Sequence, residues 1–262
     1  MNDILKTTFN SQAELYNEVR PRYSKELFDT LEKETNLSKD TSLLEIGAGT
    51  GQATLPLAKR GFAITAVELG SELANIARRE LKEYKNVTVI TSSFEDVDLP
   101  LLSFDLVFCA TAFHWIKPEV KFVKTHSLLK EGGHLAIIYT HYVSDKLHDS
   151  FFLAAHDIFK KYDGYNATRE GKSPVLPTDQ VKEISLDNKL FEPVFFKIFP
   201  EVLRYSIEDY IKLLSTFSFV IAMETKEREE FLKEIRDLSI YEYEGIVHVS
   251  TQMSLTIGRK IN

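Results

Sequence analysis

The sequence predicts an α/β fold, with a mostly parallel sheet of seven strands, helices on both of its faces, and a helical cap formed by insertions. Two observations indicate this fold. Short apolar runs alternate with helical patterns between residues 42 and 140, which is typical of parallel βαβ units. The first run leads directly into the glycine-rich turn Glu45-Ile-Gly-Ala-Gly-Thr-Gly51, where the backbone can come close to a ligand.

Length and composition favour a single domain over residues 1–262. The chain is 44% hydrophobic and 27% charged, so it can bury the core of an ordinary globular domain. Its formal charge of -7 disfavours nucleic acid as a partner, and no apolar run is long enough to span a membrane. One cysteine excludes an internal disulfide, and the N-terminus lacks a signal-peptide pattern. We therefore expect a cytoplasmic protein without a metal site; its oligomeric state stays open.

Residues 1–140 are expected to form a nucleotide-type core with an N-terminal helical lid. Apolar periodicity over residues 11–34 predicts two short helices, and Pro21 ends the first of them. The core then alternates as a strand at 42–46, a helix at 52–61, a strand at 63–68, a helix at 71–82, strands at 87–91 and 104–110, a helix at 118–129, a turn at 131–133 and a strand at 134–140.

The second half of the chain predicts a cap and the last strands of the sheet. Helical patterns cover residues 145–162 and 206–238, whereas residues 193–199 and 245–258 have the pattern of strands. We assign the cap to 141–191 and 205–240, and the terminal strands of the sheet to 192–204 and 242–259. The segment 163–179, which contains Gly, Asn, Ser and Pro residues, is the predicted mobile loop.

The ends of four predicted strands carry groups suited to an adenosine ligand. Gln52 stands where the dinucleotide fingerprint Gly-x-Gly-x-x-Gly needs its last glycine, which disfavours a pyrophosphate. Glu68 ends the second strand about 20 residues beyond Gly47, where a carboxylate can accept hydrogen bonds from both ribose hydroxyls. The third strand is followed by Ser92-Ser-Phe-Glu95, which offers an apolar face and polar groups to a purine, and the fourth by Ala110-Thr-Ala-Phe-His-Trp115.

These segments together resemble the class I S-adenosylmethionine-dependent methyltransferases, whose sheet is Rossmann-like. The resemblance covers residues 40–140 and is carried by Glu45-x-Gly47-x-Gly49-x-Gly51, Glu68, Ser93-Phe94-Glu95 and Phe104-Asp-Leu-Val. The segments Tyr16-Asn-Glu-Val-Arg20-Pro-Arg-Tyr23 and Phe113-His114-Trp115 are also similar to a small-molecule subgroup that includes trans-aconitate methyltransferase-like proteins. The resemblance implies an enzyme with S-adenosyl-L-methionine as its cofactor.

The resemblance also implies roles for individual residues. The three glycines would pass under the methionine part of the cofactor, Glu68 would hold the ribose, and Phe94 with Glu95 would flank the adenine. The N-terminal segment would close over the cofactor, with Arg20 on its carboxylate. The full expected set is Tyr16, Arg20, Tyr23, Glu45, Gly47, Ala48, Gly49, Gly51, Gln52, Glu68, Leu69, Ser93, Phe94, Glu95, Ala110 and Thr111. Alternatively, Arg20 and Tyr23 cap helices and Phe94 belongs to the core.

The expected acceptor is an oxygen or carbon atom of a small molecule. A sulfonium methyl group is already activated, so the enzyme mainly has to place the acceptor in line and exclude water. His114 is the candidate base for a hydroxyl acceptor, or else a structural histidine. Trp115, His141 and Phe217 are further candidate substrate contacts. Enzymes that methylate nucleic-acid amines carry a Pro-Pro-Tyr motif after the fourth strand, which this chain lacks.

Two other classes of function are compatible with these patterns. A non-catalytic regulatory protein could bind S-adenosylmethionine with a degenerate acceptor site. A nicotinamide-dependent oxidoreductase is disfavoured by Gln52 and by the lack of a suitably placed Tyr-x-x-x-Lys pair.

Overall fold

The computed structural model describes residues 12–144, 150–162, 176–177 and 181–261 of the chain. Its strands are β1 Ser42–Ile46, β2 Ala63–Glu68, β3 Val87–Thr91, β4 Phe104–Ala110, β5 Leu129–Ser144, β6 Leu176–Pro177, β7 Phe191–Ser206 and β8 Ile246–Lys260. Seven of them form the sheet β3-β2-β1-β4-β5-β8-β7, and the two-residue β6 pairs with the end of β5. β1 to β5 are parallel, while β8 is antiparallel to β5 and β7. The predicted fold class is confirmed.

Helices lie on both faces of this sheet. Among the described residues they are α1 Ala13–Val19, α2 Lys25–Thr35, α3 Thr54–Lys59, α4 Ser71–Glu80, α5 Pro118–Leu128, α6 Ser150–Lys161, α7 Ile207–Ser215, α8 Ser218–Ile221 and α9 Thr225–Tyr243, and a 3-10 turn lies at Phe113–Trp115. Local capping fixes several of their starts: the Ser24 hydroxyl accepts the Leu27 N–H at the start of α2, and the Ser206 hydroxyl accepts the Asp209 N–H at the start of α7. The two predicted N-terminal helices are confirmed, and α2 ends at a left-handed Asn36.

Both faces of the central strands are buried, so these strands lack an exposed polar side. One apolar cluster joins Phe28 of α2 and Leu57 of α3 to Phe108 and Ile138 of the sheet. A second cluster on the opposite face includes Phe104, Phe113 and Leu128. Cys109 is fully buried in that second cluster, and burial raises the pKa of its thiol, which identifies it as a packing residue rather than a nucleophile.

The cap is built on strands that continue beyond the carboxyl edge of the parallel sheet. Ala110, the last residue of β4, pairs with Ile138, and β5 then continues to Ser144 alongside β8. Helices α6 to α9 pack against this extension through a third apolar cluster, in which Phe231 is fully buried. The cap therefore lies next to the edge at which ligands bind in open α/β sheets.

Several predicted boundaries were wrong. The predicted turn at 131–133 lies within β5, where the register with β4 shifts and Gly132 has a φ of +71°, so it is a bulge. The predicted helix at 206–238 is divided into α7, α8 and α9, and α9 continues to Tyr243, beyond the predicted start of the last strand. The predicted mobile loop 163–179 lies outside the described residues, apart from Leu176–Pro177. No described helix is both long and apolar enough to cross a membrane.

Truncating Phe231 tests how far the cap depends on its aromatic cluster. The ring contacts Phe159 and Tyr162 with centroids 5.4 Å away in both cases, and Phe219 at 6.1 Å. We expect Phe231→Ala to lower the free energy of unfolding by about 3 to 5 kcal/mol, because it leaves a buried cavity. Tyr241→Ala is the matched control on the same helix, since Tyr241 is 83% exposed, and it should cost less than about 0.5 kcal/mol. Equal losses in urea unfolding would contradict the assigned packing.

Candidate functional site

The glycine-rich turn is tied to the neighbouring strand by its backbone. The N–H groups of Gly47 and Ala48 both donate to the Val67 carbonyl, at 2.9 and 3.1 Å. A Cβ atom at Gly47 would lie 2.5 Å from the Cβ of Ala112, which is impossible without a shift of the backbone. Gly47 is therefore required by the close approach of β1 to the segment after β4. Ala112 lies in the predicted strand-end segment 110–115, although it is not in the expected cofactor set.

Gly49 differs from Gly47 because it faces open space. Its φ is +57°, a left-handed conformation that favours glycine, and a Cβ built there would meet no atom within 4 Å. Its N–H donates to Oε2 of Glu68 at 2.7 Å. Gly49 is thus the position in the turn where a ligand can approach the backbone.

The Glu68 carboxylate bridges two turns at the carboxyl edge. Oε2 accepts the Gly49 N–H, and Oε1 accepts the Gly70 N–H at 2.8 Å. Burial raises the pKa of Glu68, while these backbone donors act in the opposite direction. A carboxylate can accept about four hydrogen bonds, so it has further capacity for the hydroxyls of a ribose. Beside it, the Leu69 side chain is 42% exposed and offers an apolar surface.

Glu45 lies beneath the turn with a protein partner. It is 1% exposed, and its Oε2 accepts a hydrogen bond of 2.5 Å from the Thr54 hydroxyl at the start of α3. Burial raises the pKa of Glu45 to about 8, and the charge of Glu68 acts in the same direction. In this structure Glu45 supports the turn, and its expected place on the cofactor stays a prediction. Thr54, nine residues away in sequence, was missed.

The segment after β3 is only partly as expected. Phe94 is 4% exposed and packs in the same apolar cluster as Val67, which matches its alternative interpretation as a core residue; its expected place against the adenine stays a prediction. The Ser93 hydroxyl accepts the Asp96 N–H at 3.0 Å and shapes the turn. Oε1 of Glu95 accepts the N–H of Lys117 at 3.1 Å. Ser93 and Glu95 are half-buried and lie at the carboxyl edge of the sheet.

Thr111 follows β4 in a strained conformation. Its φ is +57°, which is a genuine outlier for a β-branched residue and costs on the order of 1 to 3 kcal/mol. The surrounding bonds enforce it: its N–H donates to Ile138 at 2.8 Å, and its hydroxyl lies 3.3 Å from both the Tyr23 hydroxyl and the Thr140 nitrogen. Strain of this kind concentrates at functional sites. Half-buried Ala110 precedes it and packs against the core.

The N-terminal segment connects the edge of the sheet to the cap. Arg20 donates from Nε to the Thr216 hydroxyl and from Nη2 to the Thr216 carbonyl, both at 2.8 Å. Its guanidinium carbon lies 4.9 Å from the ring centroid of Tyr16 and 4.6 Å from that of Phe217. The expected residues Tyr16, Arg20 and Phe217 therefore meet at the cap, while Tyr23 bonds Thr111 at the end of β4. The bonds between Arg20 and Thr216 were not predicted, because the two residues lie far apart in sequence.

The expected histidines lie in one aromatic row. The ring centroid of His114 is 4.8 Å from Trp115 and 5.3 Å from Tyr139, and Tyr139 is 4.9 Å from His141. Nε2 of His141 lies 3.1 Å from the Ser254 hydroxyl. Tyr139 was missed, although strand periodicity places it on the same face as His141. Among the described residues, no group of three histidine, cysteine or acidic side chains could hold a metal ion.

The buried carboxyl of Glu45 predicts a pH dependence of stability. Because its pKa is raised from 4.5 to about 8, the folded state holds the proton more tightly, and stability is lost as the pH rises between these values. Glu45→Gln can still accept the Thr54 bond but does not titrate. Relative to the wild type, its free energy of unfolding should therefore rise by about 2 to 4 kcal/mol between pH 5 and pH 8. Urea unfolding at several pH values measures this difference, and a constant difference would show that Glu45 titrates normally.

The fold of the chain agrees with that of known proteins. Residues 44–137 match a family model described as a methyltransferase domain. An uncharacterized methyltransferase of Staphylococcus carnosus is 34% identical over 172 residues, which are 62% of this chain and 73% of that protein. A solved structure described as a type II methyltransferase from Anaeromyxobacter dehalogenans has a TM-score of 0.62 at 22% identity and covers 92% of this chain and 97% of that one.

A further solved structure shares the fold and contains a ligand. Haemonchus contortus phosphoethanolamine N-methyltransferase 2, in complex with S-adenosyl-L-methionine, has a TM-score of 0.53 at 15% identity, and the match covers 97% of this chain and 57% of that one. At this identity it supports the fold only. The family match and the Staphylococcus relative carry the assignment: the chain belongs to the S-adenosylmethionine-dependent methyltransferases.

Proposed function

We propose that this methyltransferase moves the methyl group of S-adenosyl-L-methionine to an oxygen or carbon atom of a small-molecule acceptor. The observation that carries the proposal is the position of Arg20, which joins the N-terminal segment to Thr216 of the cap. The same segment is bonded to the end of β4 through Tyr23 and Thr111. A segment held at both ends over this edge limits access, which suits a small acceptor better than a macromolecule.

The residues around the turn fit the cofactor. The open space at Gly49 admits a ligand against the backbone, and Glu68 has acceptor capacity for ribose hydroxyls. The exposed Leu69 side chain offers a surface to the adenine. When bound, S-adenosylmethionine supplies a methyl group that is already activated by its sulfonium.

Arg20 has a second role in the proposal. The resemblance places it on the carboxylate of the cofactor, while its Nε and Nη2 are bonded to Thr216. A guanidinium has five N–H donors, so Arg20 can hold an anion and the cap together. Binding of the cofactor would then strengthen the closure of the cap, and closure excludes water from the transfer.

The acceptor would lie between the end of β4 and the cap. Tyr142 and Phe217 line this region, with ring centroids 5.2 Å apart. These rings suit an acceptor pocket, because such pockets are mostly apolar with a few polar groups. If the acceptor is a hydroxyl, His114 would take its proton on a ring nitrogen, with the row through Tyr139 and His141 beside it. A carboxylate acceptor, as in the trans-aconitate methyltransferase-like subgroup, needs no base.

A pair of glycine substitutions tests the place of the cofactor. Gly49 and Gly132 both have positive φ and open space around a built Cβ, but Gly132 lies in the bulge at the opposite edge of the sheet. Alanine at either position should therefore lower the free energy of unfolding by a similar amount, about 1 to 2 kcal/mol, because a Cβ is strained at positive φ. We expect only Gly49→Ala to weaken binding of S-adenosylhomocysteine, by tenfold or more, in calorimetric titration. Equal affinities for the two variants would remove Gly49 from the site.

Methyl transfer itself is tested with carbon-13-labelled S-adenosylmethionine and fractionated metabolite extracts. The labelled methyl group should appear on an oxygen or carbon of a small molecule, which mass spectrometry and NMR identify. Labelling only of nitrogen, sulfur or macromolecules would contradict the proposed acceptor class.

With a hydroxyl acceptor, His114→Asn should lower kcat by about 10²- to 10⁴-fold and remove one ionisation from the pH profile, while affinity for S-adenosylhomocysteine is unchanged.

A further inference from the structure

A cavity lies on the outer side of the glycine-rich turn, between α2 and α3. Its volume is about 520 Å³, which exceeds that of a simple ion. It shares Tyr23, Gly51 and Gln52 with the expected cofactor set, but Gly49 and Glu68 are not among its lining residues. The cavity is therefore adjacent to the expected cofactor site and differs from it in its walls.

The charges around this cavity are predominantly positive. Its lining includes Arg22, Lys25, Lys59 and Arg60, and Glu80 is the one carboxylate among the described lining residues. Lys25 and Arg60 are neutralised on α2: Lys25 Nζ lies 2.7 Å from Oδ2 of Asp29, and Arg60 Nη2 lies 2.9 Å from its Oδ1. Within the described part of the chain, Arg22 donates to the Asn17 carbonyl at 2.7 Å, and neither Arg22 nor Lys59 forms an ion pair. Arg22 and Lys59 are thus two positive charges with no ion-pair partner among the described residues.

Two lining residues also carry buried polar atoms without partners. Thr50 is 2% exposed, and its hydroxyl forms no hydrogen bond with any described residue. Nε2 of Gln52 is likewise buried and unbonded in the described chain. Buried polar groups are almost always satisfied, so such atoms call for a partner that the described residues do not supply. A hydroxyl and an amide N–H₂ can both donate to an oxyanion.

The rest of the lining is apolar. Phe28, Leu55 and Pro56 contribute hydrocarbon surface, and Tyr23 adds an aromatic ring. The site thus combines uncompensated cations, unsatisfied donors and an apolar wall. This combination suits a molecule with an oxyanion at one end and an apolar body at the other.

We propose that this cavity is a second ligand site, which binds a small apolar molecule carrying a phosphate or carboxylate group. Arg22, Lys59, Thr50 and Gln52 hold the oxyanion, and the apolar wall holds the body. Because Thr50 lies in the same turn as Gly49, occupancy of the cavity changes the affinity for the cofactor, and the cofactor changes the affinity of the cavity by the same factor.

Phenyl phosphate and benzoate are the probes, titrated calorimetrically into the protein with and without saturating S-adenosylhomocysteine. We expect saturable binding of at least one probe in both states, with affinities that differ by twofold or more. Benzyl alcohol, which has the apolar body without the charge, should bind at least tenfold more weakly. Binding that S-adenosylhomocysteine abolishes competitively would assign the cavity to the cofactor, and the absence of binding by either probe would also overturn the proposal.

Two variants locate the bound probe. Arg22→Gln combined with Lys59→Gln should weaken binding at least tenfold, whereas Lys39→Gln with Lys189→Gln, which removes the same charge elsewhere, should leave it within twofold. Thr50→Val should weaken binding without loss of stability, since the hydroxyl it removes has no described partner. Unchanged affinity in the first double variant would place the probe elsewhere. Failure of methyl transfer would not bear on this site, because the readout is binding alone.

Discussion

The bridge made by Glu68 is the interaction on which the rest of the site depends. Its two carboxylate oxygens accept N–H groups from Gly49 and Gly70, so the turn after β1 and the turn after β2 share one anchor. The parallel pairing of β1 and β2 brings the two turns to the same edge. A carboxylate so placed is oriented before any ligand arrives, which removes an ordering cost from binding.

The edge also contains features that reduce stability. Glu45 and Glu68 are both buried carboxyls, and Thr111 is held at a positive φ. Such features persist only where the surrounding structure enforces them. Here the core on both faces of the sheet and the bonds from Tyr23 and Ile138 provide that support. Arg20 joins the cap to this edge, so the residues that meet here come from both halves of the chain.

The sequence predicted those features that depend on local pattern. The strands at residues 63–68, 87–91 and 104–110 have the predicted bounds, because apolar β-rich runs and adjacent turns mark them clearly. The bulge around Gly132 was read as a turn, since a glycine pair signals both equally well. The division of α7 from α9 has no glycine or proline to mark it.

Tertiary partners account for most of what the sequence could not predict about the site. Arg20 was expected near the cofactor, but its bonds to Thr216 join positions 196 residues apart. The role of Glu45 beneath the turn depends on Thr54, and the burial of Phe94 depends on how the segment after β3 turns inward. In each case the residue type was compatible with two environments, and only packing distinguishes them.

If Glu68 holds the ribose of the cofactor, its carboxylate and the ribose hydroxyls must be energetically coupled, and a ligand–protein double-mutant cycle measures that coupling. Calorimetry would compare S-adenosylhomocysteine with its 2′,3′-dideoxy analogue on the wild type and on Glu68→Gln. Loss of the hydroxyls should weaken binding to the wild type by about 1 to 3 kcal/mol and binding to the variant by much less, because the carboxylate that accepts them is gone. An equal loss in both proteins would contradict the account.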